Sequence, residues 1–312
     1  MRAKLFIASG ALAAMMWAAP SAGAAHFLGS WATANVNATV IRPAPARFRF
    51  ERERGLLLRV WINGGGPYVF AVDTGAGMNV ISQRAVTAAG LPTRTVPTTI
   101  IGGLSNARSS SNREAIIDRI ALAERDNALP SKQTALIVTN LPLDLDGILD
   151  PTEAYAPFGY SIDLPNEQID ALTAGTIHPD TRLPGEGTVV PWLRVGNDNR
   201  PFVRLADGRT ALVDTGSGFG LAVNGRDAVV IGRDGMRRTE AVRDIGGGTV
   251  VSRRVNPTTI RIGDLQLRRI PTDLLFGVDK NAPVILGRDA LQPFKISFDP
   301  QRRLIQFVAV SD

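Results

Sequence analysis

Asp-Thr-Gly occurs twice in the chain, at residues 73–75 and 214–216. Each copy follows an apolar run, Val69–Val72 or Ala211–Val213, and each is followed by a small residue and another glycine. Two carboxylates held a hydrogen bond apart cannot both ionise easily, so they share one proton. The ionised carboxylate can then take a proton from water while the protonated one polarises the bond under attack. The two copies therefore predict hydrolysis by a pair of aspartates.

Other hydrolytic chemistries lack their residues. There are no cysteines, which excludes disulfides, thiolate metal sites, a cysteine nucleophile and a lipoprotein anchor. The only histidines are His26 and His178, and neither has a setting that suits a Ser-His-Asp triad or a zinc site. The catalytic candidates are therefore Asp73 and Asp214, and we expect no cofactor and no metal.

A calcium loop is an alternative for the three aspartates Asp144, Asp146 and Asp150. Gly147 stands at the wrong place for the glycine of an EF-hand. The spacing therefore does not favour calcium.

The first residues predict a secretory signal. Arg2 and Lys4 precede the apolar stretch Leu5–Ala19, and Ala22–Ala24 is a small-residue cleavage site. The apolar stretch is short for a membrane span, so we expect cleavage after Ala24 and no stable membrane anchor, with an uncleaved anchor as the alternative. A periplasmic or secreted bacterial protein is the expected localisation.

Net charge gives little support for a polyanionic partner. Without Arg2 and Lys4 the chain has 33 basic and 29 acidic residues, a formal charge of +4 instead of +6. Four Arg-Arg pairs lie in the second half, where they fit solvated strand edges better than a polyanion site. No aromatic residues alternate with them, so we expect no nucleic-acid partner.

The two halves of the chain repeat each other beyond the aspartate turns. The spacing between the two turns is 141 (214 − 73). Residues 147–150 match 284–287 at a spacing of 137, and residues 157–163 match 293–299 at a spacing of 136. A repeat of this length is too long for a solenoid unit and indicates a duplicated domain.

Composition and repeat together predict an all-β chain of two lobes. With 312 residues, Gly 31 and Pro 20, the chain is long enough for two lobes and rich in turns. The expected boundaries are a signal peptide at 1–24, an N-terminal arm at 25–46, a first lobe at 47–172, a linker at 173–186 and a second lobe at 187–312.

Two sets of residues carry a family resemblance. Asp73-Thr74-Gly75-Ala76 with Gly147-Ile148-Leu149, and Asp214-Thr215-Gly216-Ser217 with Ile285-Leu286-Gly287-Arg288-Asp289, resemble the aspartic proteases of the retropepsin and pepsin type. The resemblance implies two pseudo-symmetric retropepsin-like β-barrel lobes with a cleft between them. It also implies that Thr74 and Thr215 lock the two turns together, and that Gly75 and Gly216 let the backbone approach the carboxylates.

The resemblance extends to two flaps over the cleft. Gly102 and Gly103 in the first half, and Gly246 and Gly247 in the second, look like flap tips, although ordinary hairpin turns are the alternative. No tyrosine lies between residues 69 and 154, where a pepsin-type flap would carry one. We therefore expect a single-chain enzyme with retropepsin-like lobes that binds a peptide or an unfolded protein. Because one chain carries both aspartates, we expect it to be a monomer.

Asp150 departs from the family pattern, because it stands where the first lobe should have glycine. A third carboxylate near the pair would raise carboxyl pKa values, unless Asp150 points to solvent from a relaxed loop. Ala76 has no hydroxyl for Asp73, whereas Ser217 offers one to Asp214. The leading prediction is an aspartic endopeptidase that hydrolyses peptide bonds with water activated by Asp73 and Asp214. The alternatives are a catalytically impaired peptide-binding protein on the same fold and a hydrolase with a non-peptide substrate.

Overall fold

The computed structural model describes residues 41–173, 175–179, 187–196, 198–226 and 238–310. The predicted signal peptide, most of the N-terminal arm and most of the predicted linker lie outside these residues. The strands and helices of the described residues are β1 (Ala46–Arg47), β2 (Arg49–Glu51), β3 (Gly55–Ile62), β4 (Gly65–Val72), β5 (Val80–Ser82), α1 (Gln83–Ala89), β6 (Thr93–Gly102), β7 (Arg108–Ile117), β8 (Ile120–Leu122), β9 (Gln133–Val138), β10 (Gly147–Leu149), α2 (Pro151–Ala154), β11 (Gly159–Asp163), β12 (Gln168–Leu172), β13 (Gly187–Pro191), β14 (Leu193–Val195), β15 (Asp198–Arg204), β16 (Thr210–Asp214), β17 (Leu221–Asn224), β18 (Arg238–Arg243), β19 (Thr249–Ile262), β20 (Leu265–Phe276), β21 (Val284–Gly287), α3 (Arg288–Leu291), β22 (Phe294–Asp299) and β23 (Leu304–Ala309).

Two of the three sheets have the same strand order. The nine-stranded sheet of the first lobe runs β2-β3-β4-β10-β5-β9-β7-β6, with β8 added beside β3. The eight-stranded sheet of the second lobe runs β14-β15-β16-β21-β17-β20-β19-β18. Each strand along the path of the first sheet has a counterpart at the same place in the second sheet, as expected for a duplicated domain.

A six-stranded sheet joins the two lobes, in the order β1-β12-β11-β22-β23-β13. At its centre β11 pairs antiparallel with β22, and Ser161 lies opposite Ser297. The spacing between these two serines is 136 (297 − 161), which is the spacing of the repeat in this region. The pseudo-twofold axis therefore passes between repeat-equivalent residues, and this pairing sets how the lobes face each other.

The strands that carry the aspartates lie in the middle of their sheets. In the first lobe β4 pairs parallel with β10, with Val72 opposite Leu149. In the second lobe β16 pairs parallel with β21, with Val213 opposite Leu286. All four of these residues are buried. Continuous apolar runs suit such strands, because both faces of the sheet are covered there.

The all-β class is confirmed. Within the described ranges each sheet is an open path of strands, so two closed barrels stay a prediction. The largest apolar core runs through both lobes and the shared sheet. Of the smaller clusters in the described residues, one in each lobe includes a residue from a long hairpin of the other lobe, and a third, small one contains Val255 and Leu274. Among the described residues, every helix is too short or too polar to cross a membrane.

Candidate active site

Both aspartates end a central strand and are buried. Asp73 directly follows β4, and its N–H donates to Leu149 O at 3.0 Å. Asp214 is the last residue of β16 and lies opposite Gly287. Their exposed fractions are 2% and 0%. Because the two strands approach from different lobes, the turns that follow them meet at the lobe interface.

The two threonines tie these turns together. The N–H of Thr74 donates to Thr215 Oγ1 at 3.1 Å, and the N–H of Thr215 donates to Thr74 Oγ1 at 3.0 Å. Each hydroxyl then donates to a carbonyl of the opposite strand, Val213 O at 2.7 Å and Val72 O at 3.2 Å. Four buried hydrogen bonds therefore hold the ends of the two strands in a fixed relation.

The two glycines bring each turn against the opposite carboxylate. A Cβ on Gly75 would lie 2.7 Å from Asp214 Cγ, and a Cβ on Gly216 would lie 2.3 Å from Asp73 Cγ. No side chain fits at such distances. The N–H of Gly75 donates to Asp73 Oδ1 at 2.7 Å, and the N–H of Gly216 donates to Asp214 Oδ1 at 2.9 Å. The structure thus brings the predicted carboxylates, threonines and glycines together.

The surroundings of the two carboxylates are unequal. Burial, and after it the charge of Asp214, raises the pKa of Asp73 well above its ordinary value. Burial also raises the pKa of Asp214, but the positive charges of Arg288 and Arg200 oppose that rise. Asp214 Oδ1 accepts a second N–H, from Ser217 at 3.1 Å. The surroundings of Asp214 therefore favour its ionised form more than those of Asp73 do, while the two groups titrate as one unit.

Arg288 is a buried cation that was not among the site residues predicted from the sequence. Its exposed fraction is 1%, and burial lowers its pKa. Nη1 donates to Thr215 O at 2.7 Å, and Nη2 donates to Arg52 O at 2.9 Å, across the lobe interface. Residue 288 belongs to the Ile-Leu-Gly-Arg-Asp run that carries the family resemblance, and the arginine in that run was the available signal.

Asp150 is buried, so the alternative that it points to solvent is wrong. Its exposed fraction is 4%, and its Oδ1 accepts the N–H of Thr152 at 3.0 Å as the N-cap of α2. Its charge contributes to the raised pKa of Asp73, after burial and the charge of Asp214. The direction of this contribution agrees with the expected electrostatic influence of Asp150 on Asp73.

Asn79 explains how the first lobe accepts a side chain at position 150. In the second lobe the N–H of Gly287 donates directly to the main-chain carbonyl of Gly220 at 2.9 Å. In the first lobe the N–H of Asp150 donates instead to the side chain Oδ1 of Asn79, at 3.0 Å. Residue 79 is the repeat equivalent of residue 220. In the first lobe an amide side chain therefore takes the acceptor position that a main-chain carbonyl has in the second lobe.

Ser217 supports Asp214 through its backbone and not through its hydroxyl. Its N–H makes the bond to Asp214 described above, while its Oγ accepts the N–H of Phe219 at 3.4 Å. The expected hydroxyl contact to the carboxylate is therefore replaced by a main-chain contact.

The predicted flap glycines lie at the ends of two long hairpins. Gly102 and Gly103 lie at the end of β6 in the β6–β7 hairpin, and Gly246 and Gly247 lie in the turn of the β18–β19 hairpin. The hairpin tips contact each other, since a Cβ on Gly246 would lie 3.1 Å from Gly103 N. We call residues 101–108 the first flap tip and residues 242–249 the second.

Each flap tip places an apolar residue in the other lobe. Leu104 of the first tip belongs to the apolar cluster of the second lobe, beside Val278. Ile245 of the second tip belongs to the cluster of the first lobe, beside Val138. Leu104 and Ile245 differ by 141 in residue number, as the two catalytic candidates do. The tips therefore cross reciprocally about the pseudo-twofold axis.

The three aspartates considered for calcium do not converge. Asp144 pairs with Arg54 at 2.8 Å, and Asp146 pairs with Arg84 at 2.7 Å. No group of three or more His, Cys, Asp or Glu suited to a metal ion occurs in the described part of the chain.

Comparison with known proteins finds a family model that matches part of the first lobe. Residues 58–149, which include Asp73, the first flap tip and Leu149, match the family model described as aspartyl protease. This match supports the resemblance to pepsin-like and retropepsin-like proteases. No curated protein matches the chain.

Proposed function

We propose that this chain, whose residues 58–149 match the aspartyl protease family, is an aspartic endopeptidase that activates water between Asp73 and Asp214. The observation that carries the proposal is the reciprocal approach of Gly75 to Asp214 and of Gly216 to Asp73. This approach places two buried carboxylates from different lobes face to face, where they can share a proton.

The unequal surroundings assign a role to each carboxylate. Asp214 is the proposed base, because the hydrogen bond from Asp73 and the charges of Arg288 and Arg200 oppose the rise in its pKa; it takes a proton from the water that attacks the scissile carbonyl carbon. Asp73 gives its proton to the carbonyl oxygen, which produces a neutral tetrahedral diol. Collapse of the diol breaks the C–N bond. The leaving nitrogen takes up the proton that Asp214 had received, while one diol hydroxyl returns its proton to Asp73 and becomes the carbonyl of the new carboxylic acid. The pair titrates as a unit, so its pH profile reports both groups together.

The proposed substrate is an extended peptide or an unfolded protein segment. Hairpins such as β6–β7 and β18–β19 can pair main-chain groups with a strand lying beneath them. Both carboxylates come from one chain, so the proposed active species is a monomer. The proposed site of action is the periplasm or the exterior of a bacterial cell.

The experiment that tests this function uses a mixed peptide library. Mature protein beginning at residue 25 is incubated with the library across pH, beside Asp73→Asn and Asp214→Asn, and the products are read by mass spectrometry. Cleavage by the wild type alone supports the proposal. Equal cleavage by either variant would show that the pair does not act as proposed. Retention of peptides without cleavage would favour the impaired peptide-binding protein.

A further inference from the structure

The flap tips meet at a pair of repeat-equivalent residues that differ in charge. Gly103 in the first tip and Asp244 in the second differ by 141 in residue number, so they occupy the same position in the two lobes. They are also neighbours in space, because a Cβ on Gly103 would lie 2.2 Å from Asp244 Cγ. The tips therefore cross at this position, with a carboxylate on one side only.

The Asp244 carboxylate bridges the two tips. Oδ2 accepts the N–H of Ser105, in the first tip, at 2.6 Å, while Oδ1 accepts the N–H of Gly248, in its own turn, at 3.0 Å. The exposed fraction of Asp244 is 4%. A buried carboxylate needs such donors, and hydrogen bonds to a charged acceptor are stronger than neutral ones.

The one-sided arrangement has a steric reason. Because the space beside Gly103 is filled by the Asp244 side chain, an aspartate on both tips would collide and place two carboxylates together. Glycine on both tips would leave the Ser105 N–H without this acceptor. One glycine and one aspartate allow the tips to cross and to be joined by a charged hydrogen bond.

Further contacts hold the first tip on the second lobe around this bridge. The N–H of Asp279 donates to Leu104 O at 3.0 Å, and the Asp279 carboxylate pairs with Arg108 at 2.7 Å. The second tip is held on the first lobe by Asn140, whose side chain donates to Ile245 O. Among the hydrogen bonds of the described flap residues, the one between the Asp244 carboxylate and the Ser105 N–H is the only side-chain bond that joins one tip directly to the other.

We propose that Asp244 is a latch that joins the two flap tips, and that release of the Ser105 N–H from its carboxylate is one of the steps by which the tips separate and open the cleft to a peptide. The peptide part of this inference depends on the proposed function. The latch itself is a property of the folded protein, so it can be tested without turnover.

The test is amide hydrogen exchange of the full mature chain. In Asp244→Gly, which gives the second tip the residue of the first, exchange of the Ser105 amide should be about 10–100-fold faster, as loss of a hydrogen bond to a charged group predicts. Exchange in β11 and β22 should stay unchanged. Unchanged exchange at Ser105 would overturn the latch, whatever the peptidase assay shows.

A second variant tests whether the faster exchange depends on the contact between Gly103 and Asp244. As a single substitution, Gly103→Ala should displace the Asp244 side chain and so speed amide hydrogen exchange in the first flap tip. In the Asp244→Gly background the same change should have little further effect, because the colliding atoms are gone. Equal effects in both backgrounds would contradict the latch.

A further variant keeps the test decisive if Asp244→Gly destabilises the whole protein. If Asp244→Gly also exposes β11 and β22, Asp244→Ala decides, since it removes both acceptor oxygens without adding the backbone freedom of glycine. Faster exchange confined to residues 101–108 supports the latch, and wild-type exchange there overturns it.

Discussion

Thr74 and Thr215 each accept a hydrogen bond from the backbone N–H of the other, at 3.0 and 3.1 Å. The two hydroxyls are buried and also donate to carbonyls of the opposite strand. This exchange joins the ends of β4 and β16 and sets the distance between the two carboxylates that follow the strands.

Replacing either threonine by valine should cost stability and activity together. Thr74→Val keeps the shape but leaves a buried N–H and a buried carbonyl without partners, a loss of about 1–3 kcal/mol for each. Urea unfolding gives the stability, and kcat/KM on a peptide gives the activity. Thr87→Val is the matched control, because the Thr87 hydroxyl donates to Gln83 O on an exposed helix. Wild-type stability of Thr74→Val would contradict the role of the exchange.

Asp73→Asn should change how stability depends on pH. Burial raises the folded-state pKa of Asp73 above the ordinary value of 3.8, so the folded chain binds this proton more tightly than the unfolded chain. The stability gained in this way is present at low pH and is lost as pH rises through the folded-state pKa. Asparagine carries no such proton. Urea midpoints measured from pH 4 to 8 should therefore decline less in Asp73→Asn than in the wild type, and parallel curves would contradict the assignment.

Arg288→Met should shift the acidic limb of the pH–rate profile to higher pH. The Arg288 charge opposes the rise in the pKa of Asp214, so without it Asp214 ionises only at higher pH. The variant also loses one buried and one partly buried hydrogen bond from a charged group, each worth about 1.5–3 kcal/mol. The profile of kcat/KM is the measurement. Arg288→Lys keeps the positive charge but loses the two-pronged guanidinium, so its acidic limb should lie closer to that of the wild type. An unmoved acidic limb in Arg288→Met would show that the Arg288 charge has no influence on Asp214.

Asp150→Asn and Asp150→Gly separate charge from capping. Removing the Asp150 charge lowers the pKa of Asp73, so the basic limb of the profile should move slightly downward in both variants. Asparagine remains a good N-cap for α2, and glycine costs only a few tenths of a kcal/mol there. The pH profile therefore reports the charge almost alone. An unchanged basic limb would rule out this electrostatic role, while a large gain in rate at every pH would mean that Asp150 distorts the site.

Local patterns were sufficient for the all-β fold class and for the resemblance to aspartic proteases that the family match over residues 58–149 supports. A strand ending in Asp-Thr-Gly is a short-range feature, and its repetition in the second half of the chain predicts that two such turns belong to one site. The glycine clusters at residues 102–103 and 246–247 likewise marked hairpin tips, although their spacing says nothing about what the tips contact.

Only the tertiary structure decided the partners that join distant parts of the chain. Arg288 reaches Arg52 O, and Asp244 reaches the N–H of Ser105, across 236 and 139 residues of sequence. Neither contact follows from a local pattern, because both depend on how β11 pairs with β22 and so on how one lobe faces the other. For the same reason, the sequence showed that Asp150 departs from the family pattern but did not show its partner. The hydrogen bond from the Asp150 N–H to the Asn79 side chain is visible only in the tertiary structure.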